Sequence, residues 1–379
     1  MILAFAVLTA KITGHAPSQS RNTAVAIDLP RFDRVLLLDD TSQKSAGVSI
    51  GDLDGDGNLD LVFANGGHSA LIDRVQFGDG HGRFPVGRNL GEAEDRSYSA
   101  SLVDIDGDGD LDVVIGNEDP DPKPVYLNDG TGHFHVGSTY GRPAWPTRNA
   151  NVADLNSDGL PDIIVANRTD TSNSNYVCLN RGGGKFDDSC LAFSHESATT
   201  ITPADLNGDG FIDLAVPHRE GGQSYVYLND GKAGFPKRVP FGPTDAAMRM
   251  VQAADVNSDG RIDIVTIDEK KRGLLIYFNQ GGGAFSAGLH VGDSKSIPYA
   301  LVVGDLNRDG KVDVVVGNVE APSTIYFNDG SGRVFTPVQL GDGKGVAMGF
   351  AIGDLDKDGV PDIAFARQNA PNVIYFGKR

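Results

Sequence analysis

The sequence predicts an all-β chain folded as a closed ring of seven four-stranded blades, and three observations carry that prediction. A ten-residue aspartate-rich motif recurs seven times along the 379 residues. Four β-rich runs fall within each repeat. The two ends of the chain supply complementary parts of one blade.

The motif appears as GDLDGDGNLD, VDIDGDGDLD, ADLNSDGLPD, ADLNGDGFID, ADVNSDGRID, GDLNRDGKVD and GDLDKDGVPD, with first aspartates at Asp52, Asp104, Asp154, Asp205, Asp255, Asp305 and Asp354. The spacing of 49 to 52 residues is that of a structural repeat carrying one supersecondary unit. A short apolar run such as SASLV precedes each motif, and a β-branched run such as LDVVIGN or VDVVVGN follows it. Both read as strands. A third run such as PVYLN or TIYFN leads into a glycine turn, and a fourth begins at an aromatic residue. The turns LNDGTGHF, LNRGGGKF and FNQGGGAF provide the positive backbone angles of tight hairpins.

Four strands per fifty residues, with no helical period, match a propeller blade better than a sandwich or a β-helix. The last repeat stops after its third strand at NVIYFGKR, while RFDRVLLLDD near the N-terminus opens with the Arg-Phe pair that starts a fourth strand at Arg83 and Phe84. The N-terminal strand is therefore expected to complete the last blade and remove two exposed edges. This divides the chain into a signal-like or flexible segment, 1–30, and one propeller, 31–379.

The net charge of −18 argues against a nucleic-acid backbone as ligand. The first, third, fifth and ninth motif positions hold 24 of the 51 acidic residues, so the remainder of the chain is net basic. Seven divalent cations would bring the total to −4. Oxygen ligands at alternate positions of a short loop, with glycine at the sixth for a sharp turn, suit a hard cation with six to eight oxygen ligands, and calcium is the natural occupant. The twelfth position holds Phe63, Ile115, Val165, Val216, Thr266, Val316 and Phe365 instead of the bidentate Glu of an EF-hand, which excludes that loop.

The pattern D-x-[DN]-x-D-G-x-x-D leading into a strand resembles the FG-GAP or VCBS-type repeat of integrin α-subunit propellers and of many secreted bacterial proteins. The resemblance implies up to seven structural calcium ions, each held by side chains at positions one, three, five and nine and a backbone carbonyl at position seven. In blade one these are Asp52, Asp54, Asp56, Asn58 and Asp60, and in blade two Asp104, Asp106, Asp108, Asp110 and Asp112. Blade three offers Asp154, Asn156, Asp158, Leu160 and Asp162, and blade four Asp205, Asn207, Asp209, Phe211 and Asp213. Blade five offers Asp255, Asn257, Asp259, Arg261 and Asp263, blade six Asp305, Asn307, Asp309, Lys311 and Asp313, and blade seven Asp354, Asp356, Asp358, Val360 and Asp362. Asn at the third position keeps an oxygen and loses a charge, so affinity is expected to fall in those blades.

Extracellular calcium modules bind in roughly the 0.1 to 1 mM range, which supports export. The apolar start MILAFAVLTA fits the hydrophobic part of a secretory signal, although it has no basic leader, and it is too short to span a bilayer. Cys178 and Cys190 flank the turn NRGGGK. Two readings stand for them: a disulfide formed in an oxidising compartment, or two small buried apolar residues.

A propeller does not define its function, so a ligand site must be sought on the face opposite the acidic loops. Six positions before each first aspartate stand Ala46, Tyr98, Arg148, Thr199, Arg249, Tyr299 and Met348, expected to ring the central mouth or to pack between blades. Trp145 lies in a loop of the same face, either as an exposed indole that stacks on a ligand or as a plug between blades. His218, with Arg219 and Glu220, is the most enzyme-like cluster, and the charged loops around it are otherwise solvated. No nucleophile elbow, phosphate-binding glycine loop or zinc signature is present. The leading expectation is an exported, monomeric binding module for a glycan or protein. The alternatives are a carbohydrate-active enzyme such as a polysaccharide lyase, and a structural or adhesion module.

Overall fold

The ninth aspartate of every motif ends an acidic loop and starts a strand whose residues are buried on both sides, as in Asp112–Asn117 and Asp313–Asn318. Such a strand must have neighbours on both faces, and a ring of radial sheets provides them. In the computed structural model, which describes residues 29–38, 42, 44–168, 174–186, 189–292 and 295–379, seven four-stranded antiparallel sheets form that ring. Residues 1–28 of the signal-like segment 1–30, and residues 169–173 of one variable loop, lie outside the described residues. No helix among the described residues is long and apolar enough to cross a membrane.

Blade two shows the common plan. Its innermost strand is Ser97–Val103, followed outward by Asp112–Asn117, Pro124–Asn128 and Phe134–Thr139. The innermost strands Ser45–Gly51, Ser97–Val103, Thr147–Ala153, Thr202–Ala204, Met248–Ala254, Pro298–Gly304 and Val346–Gly353 touch in that order, and the last touches the first. As expected, Arg31–Leu37 pairs with Val373–Lys378 and becomes the outer strand of blade seven, with Val35 opposite Tyr375.

Seven apolar clusters hold the ring, one at each blade junction. Each contains the second motif residue, which is Leu53, Ile105, Leu155, Leu206, Val256, Leu306 or Leu355, at no more than 1% exposure. Trp145 belongs to the cluster between blades two and three, where its ring stacks on Tyr176 with centroids 4.0 Å apart. It is buried. The reading of Trp145 as an exposed ligand-stacking residue is thus corrected: the indole plugs a blade gap. Cys178 and Cys190 form a disulfide across the outer hairpin of blade three, which resolves the two readings in favour of the bond.

The hairpin asparagine adds a polar clasp between blades. Asn128, Asn180, Asn229, Asn279 and Asn328 each donate through Nδ2 to the carbonyl of the second motif residue in the preceding blade, at 2.7 to 2.9 Å. Blades one and seven carry Gly78 and Gly377 there, and a Cβ at either would come 2.3 or 2.4 Å from a backbone carbonyl oxygen. Arg34 of the N-terminal strand serves the junction between blades seven and one instead. It pairs with Asp356 at 2.6 Å, donates to the carbonyls of His81 and Gly82, and lies over the Phe376 ring.

Candidate functional site

Each acidic loop is shaped by its own carboxylates. The first aspartate accepts the N–H of the sixth-position glycine in all seven copies, at 2.8 to 3.0 Å. That glycine adopts a positive φ, 80° at Gly57 and 91° at Gly359, which explains its residue type. The fifth aspartate accepts the N–H of position seven, again in every copy.

The ninth aspartate does more than face a cation. Its Oδ2 accepts the N–H of the second motif residue, and its Oδ1 accepts an N–H at the end of the third strand, such as Gly78 or Asn229. Blades five to seven repeat the pair, giving distances of 2.8 to 3.2 Å throughout. This buried carboxylate latches the acidic loop to the rest of its blade. Burial, opposed by those two hydrogen bonds and reinforced by neighbouring motif aspartates, pushes Asp60, Asp112, Asp162, Asp213 and Asp263 up to about 6. The same balance takes Asp313 and Asp362 up to about 7. A bound cation acts in the opposite direction, favouring the charged form.

The loops nevertheless differ as cation sites. In blades one, two and seven three carboxylates converge within 4.8 Å: Asp52, Asp54 and Asp60; Asp104, Asp106 and Asp108; and Asp354, Asp356 and Asp362. Asp354 Oδ1, of the blade-seven cluster, is buried with no hydrogen-bond partner. The donors are all oxygens, so the set fits a hard divalent cation. In blades three to five the third-position amides of Asn156, Asn207 and Asn257 donate to the fifth-position carboxylate, at 2.8 to 3.1 Å. Two loops also carry an internal counter-charge: Arg261 pairs with Asp259, and Lys311 lies 3.4 Å from Asp309. The sequence reading treated position seven as a carbonyl ligand and missed this competing cation.

On the opposite face the seven mouth positions were placed by counting, and six of them line a central cavity of about 220 Å³. Tyr299 is not among its lining residues and lies behind Arg249, whose guanidinium carbon is 3.2 Å from the Tyr299 ring centre. Arg148 lies 4.1 Å over the Tyr98 ring and pairs with Glu118. Arg249 pairs with Glu269 at 2.9 Å, and Arg219 reaches the same carboxylate from the preceding blade. Burial alone would raise both glutamates. The arginines overcome it, at Glu118 with help from His68, and hold both carboxyls below the ordinary range. Burial also pushes the Tyr98 phenol well up, which makes it a poor base.

His218 does not join this group. Its neighbours diverge, Arg219 to Glu269 of blade five and Glu220 to Arg168 of blade three, and His218 is not among the residues lining the cavity. The enzyme-like cluster read from the sequence is not assembled. The charged loops read as solvated instead form ion pairs between blades, and His68 hydrogen-bonds Glu118.

Comparison with known proteins agrees with this architecture. The solved structure of an Agrocybe aegerita lectin, described as specifically recognising non-reducing terminal N-acetylglucosamine, matches at 21% identity and a TM-score of 0.54, covering 77% of this chain and 79% of that one. The BBS1N chain solved in complex with ARL6DN matches at 12% identity and a TM-score of 0.58, over 92% and 96%. These likenesses establish the fold. No curated protein matches the chain significantly. The model of the FG-GAP-like repeat matches at residues 52–115, 104–165, 154–216, 205–266, 255–316 and 305–365. Because those overlapping matches run from the first acidic loop to the second strand of blade seven, the chain belongs to the FG-GAP-like repeat family.

Proposed function

We propose that this protein is an exported, calcium-loaded propeller that binds a glycan or protein ligand through the face opposite its acidic loops. The observation that carries the reading is the preformed central cavity, walled by Arg148 and Arg249 that are fixed by buried ion pairs and stacked tyrosines. Side chains already ordered before binding lose little freedom when a ligand arrives. The recognition of N-acetylglucosamine by the structurally similar lectin supports a saccharide ligand. The three convergent carboxylate clusters and the orphaned Asp354 oxygen support calcium. The Cys178–Cys190 disulfide supports an oxidising compartment.

A glycan array probed with the calcium-loaded protein tests the proposal. Wild type should bind a defined subset of glycans, and Arg249→Ala should lose them while remaining folded. Binding that survives both Arg148→Ala and Arg249→Ala would move the ligand elsewhere. Incubation with polyuronates addresses the lyase alternative, because cleavage by elimination creates an unsaturated product that absorbs in the ultraviolet.

A further inference from the structure

The central cavity also specifies the chemistry of what enters it. Blades two to six hold Tyr98, Arg148, Thr199, Arg249 and Tyr299 at the mouth position, an arc that reads the same from either end about Thr199, with Tyr299 outside the lining and packed on Arg249. Met348 and Ala46 close the ring with an apolar wall. Among the described residues no aspartate or glutamate lines the cavity, although the chain as a whole carries −18. Glu118 and Glu269 hold the arginines from outside that lining. The lining itself therefore presents two guanidinium groups and no carboxylate.

Its hydrogen-bonding capacity is also incomplete. Arg148 is more than nine-tenths buried, its Nη2 is taken by Glu118, and its Nε and Nη1 have no acceptor. Thr199 Oγ1 and Asn149 Oδ1, both from residues lining the same cavity, are likewise buried without partners. Buried polar atoms left unmatched cost about 1–3 kcal/mol each, so a ligand toward which these side chains turn gains by matching them. Water would match them without using the charge. A carboxylate matches the guanidinium edge and the hydroxyl together, and an adjacent ligand hydroxyl matches the Asn149 acceptor. At about 220 Å³ the space is below the 300–1,000 Å³ typical of pockets that enclose drug-sized ligands, so it admits one small group.

We propose that the cavity binds the carboxylate of a hydroxylated small acid, presented by the terminal uronate of a glycan. Arg148 and Thr199 donate to the carboxylate, Asn149 accepts a ring hydroxyl, and Arg249 supplies the second charge. This rests on the reading of the cavity face as the binding face.

The test is calorimetric titration of the full calcium-loaded chain with glucuronate, glucose and acetate. Glucuronate should bind at least tenfold more tightly than glucose. Arg148→Lys, which keeps the charge but loses the planar fork, and Thr199→Val should each weaken glucuronate about tenfold while the protein still unfolds cooperatively, and Thr199→Val should not lower the unfolding midpoint. Acetate binding as tightly as glucuronate would overturn the sugar and leave a site for a free small acid. Glucuronate that binds no better than glucose, or equally well to both variants, would overturn the carboxylate site, with the cavity holding only water. A neutral glycan lost on Arg249→Ala in that case would preserve the binding face, so the two failures are distinguishable.

Discussion

The two faces of the ring follow opposite rules. On the loop face the same hydrogen bonds recur in all seven blades, from first aspartate to sixth glycine and from ninth aspartate to two backbone N–H groups. On the other face the seven mouth positions hold Ala, Tyr, Arg, Thr, Arg, Tyr and Met, and the neighbouring ion pairs differ from blade to blade. Repetition of a costly buried carboxylate marks a part that holds the fold. Variation at one geometric level marks a part that is free to specialise. The comparison predicts that equivalent substitutions on the loop face act alike in every blade and lower stability, whereas those at the mouth change binding and spare the fold.

The largest effect should come from the latch. Asp213→Ala strands the N–H groups of Leu206 and Asn229 in the interior, a loss of about 3 kcal/mol or more, and chemical denaturation should show it with calcium or with chelator. An effect confined to calcium-loaded protein would reduce the ninth aspartate to a ligand only. Next is the clasp. Asn229→Ala removes donors to Leu155 and Ile212 across and within the blade, for a predicted loss of about 1–3 kcal/mol. Thr199→Val at the mouth should not lower stability, and a loss of more than about 0.5 kcal/mol would break the contrast between faces.

Much of this was legible in the sequence because a fifty-residue period and a fixed offset locate positions reliably. The blade number, the closing N-terminal strand and the set of mouth residues all follow from counting. What counting cannot supply is the group lying across a junction. Asn128 and its equivalents look like turn residues, yet each Nδ2 faces a carbonyl about seventy residues earlier in the chain, on the preceding blade. Glu118 and Glu269 look like solvated loop residues, yet each holds a buried arginine. Trp145 reads either way in the chain because it is surrounded by Gly, Pro and Arg, and its burial is decided by Tyr176 of the third strand of blade three.

Two further predictions concern titration and charge. Asp73 is buried, and desolvation, only partly offset by hydrogen bonds from Asn65 and Ser97, pushes it up to about 7. A raised carboxyl adds stability at low pH, fully present below the unfolded value near 3.8 and lost as the pH climbs through about 7. Blade three uses Asn175 for the same backbone contact, so Asp73→Asn should be tolerated. Its advantage over wild type should grow steadily from pH 4 to pH 8. A flat difference across that range would mean that Asp73 does not titrate there. Smallest is Lys311→Ser, which removes the counter-charge beside Asp309. It should raise the number of calcium ions bound at limiting calcium and change chelated stability by less than about 0.5 kcal/mol.

The most direct test of the central claim is thermal unfolding with excess calcium and with chelator, paired with metal analysis of the purified protein. The account predicts a large calcium-dependent rise in the midpoint and several ions per chain, because ions that bind the folded ring stabilise it by linkage. An unchanged midpoint with no bound metal would contradict it, leaving the seven acidic loops as latches and nothing more.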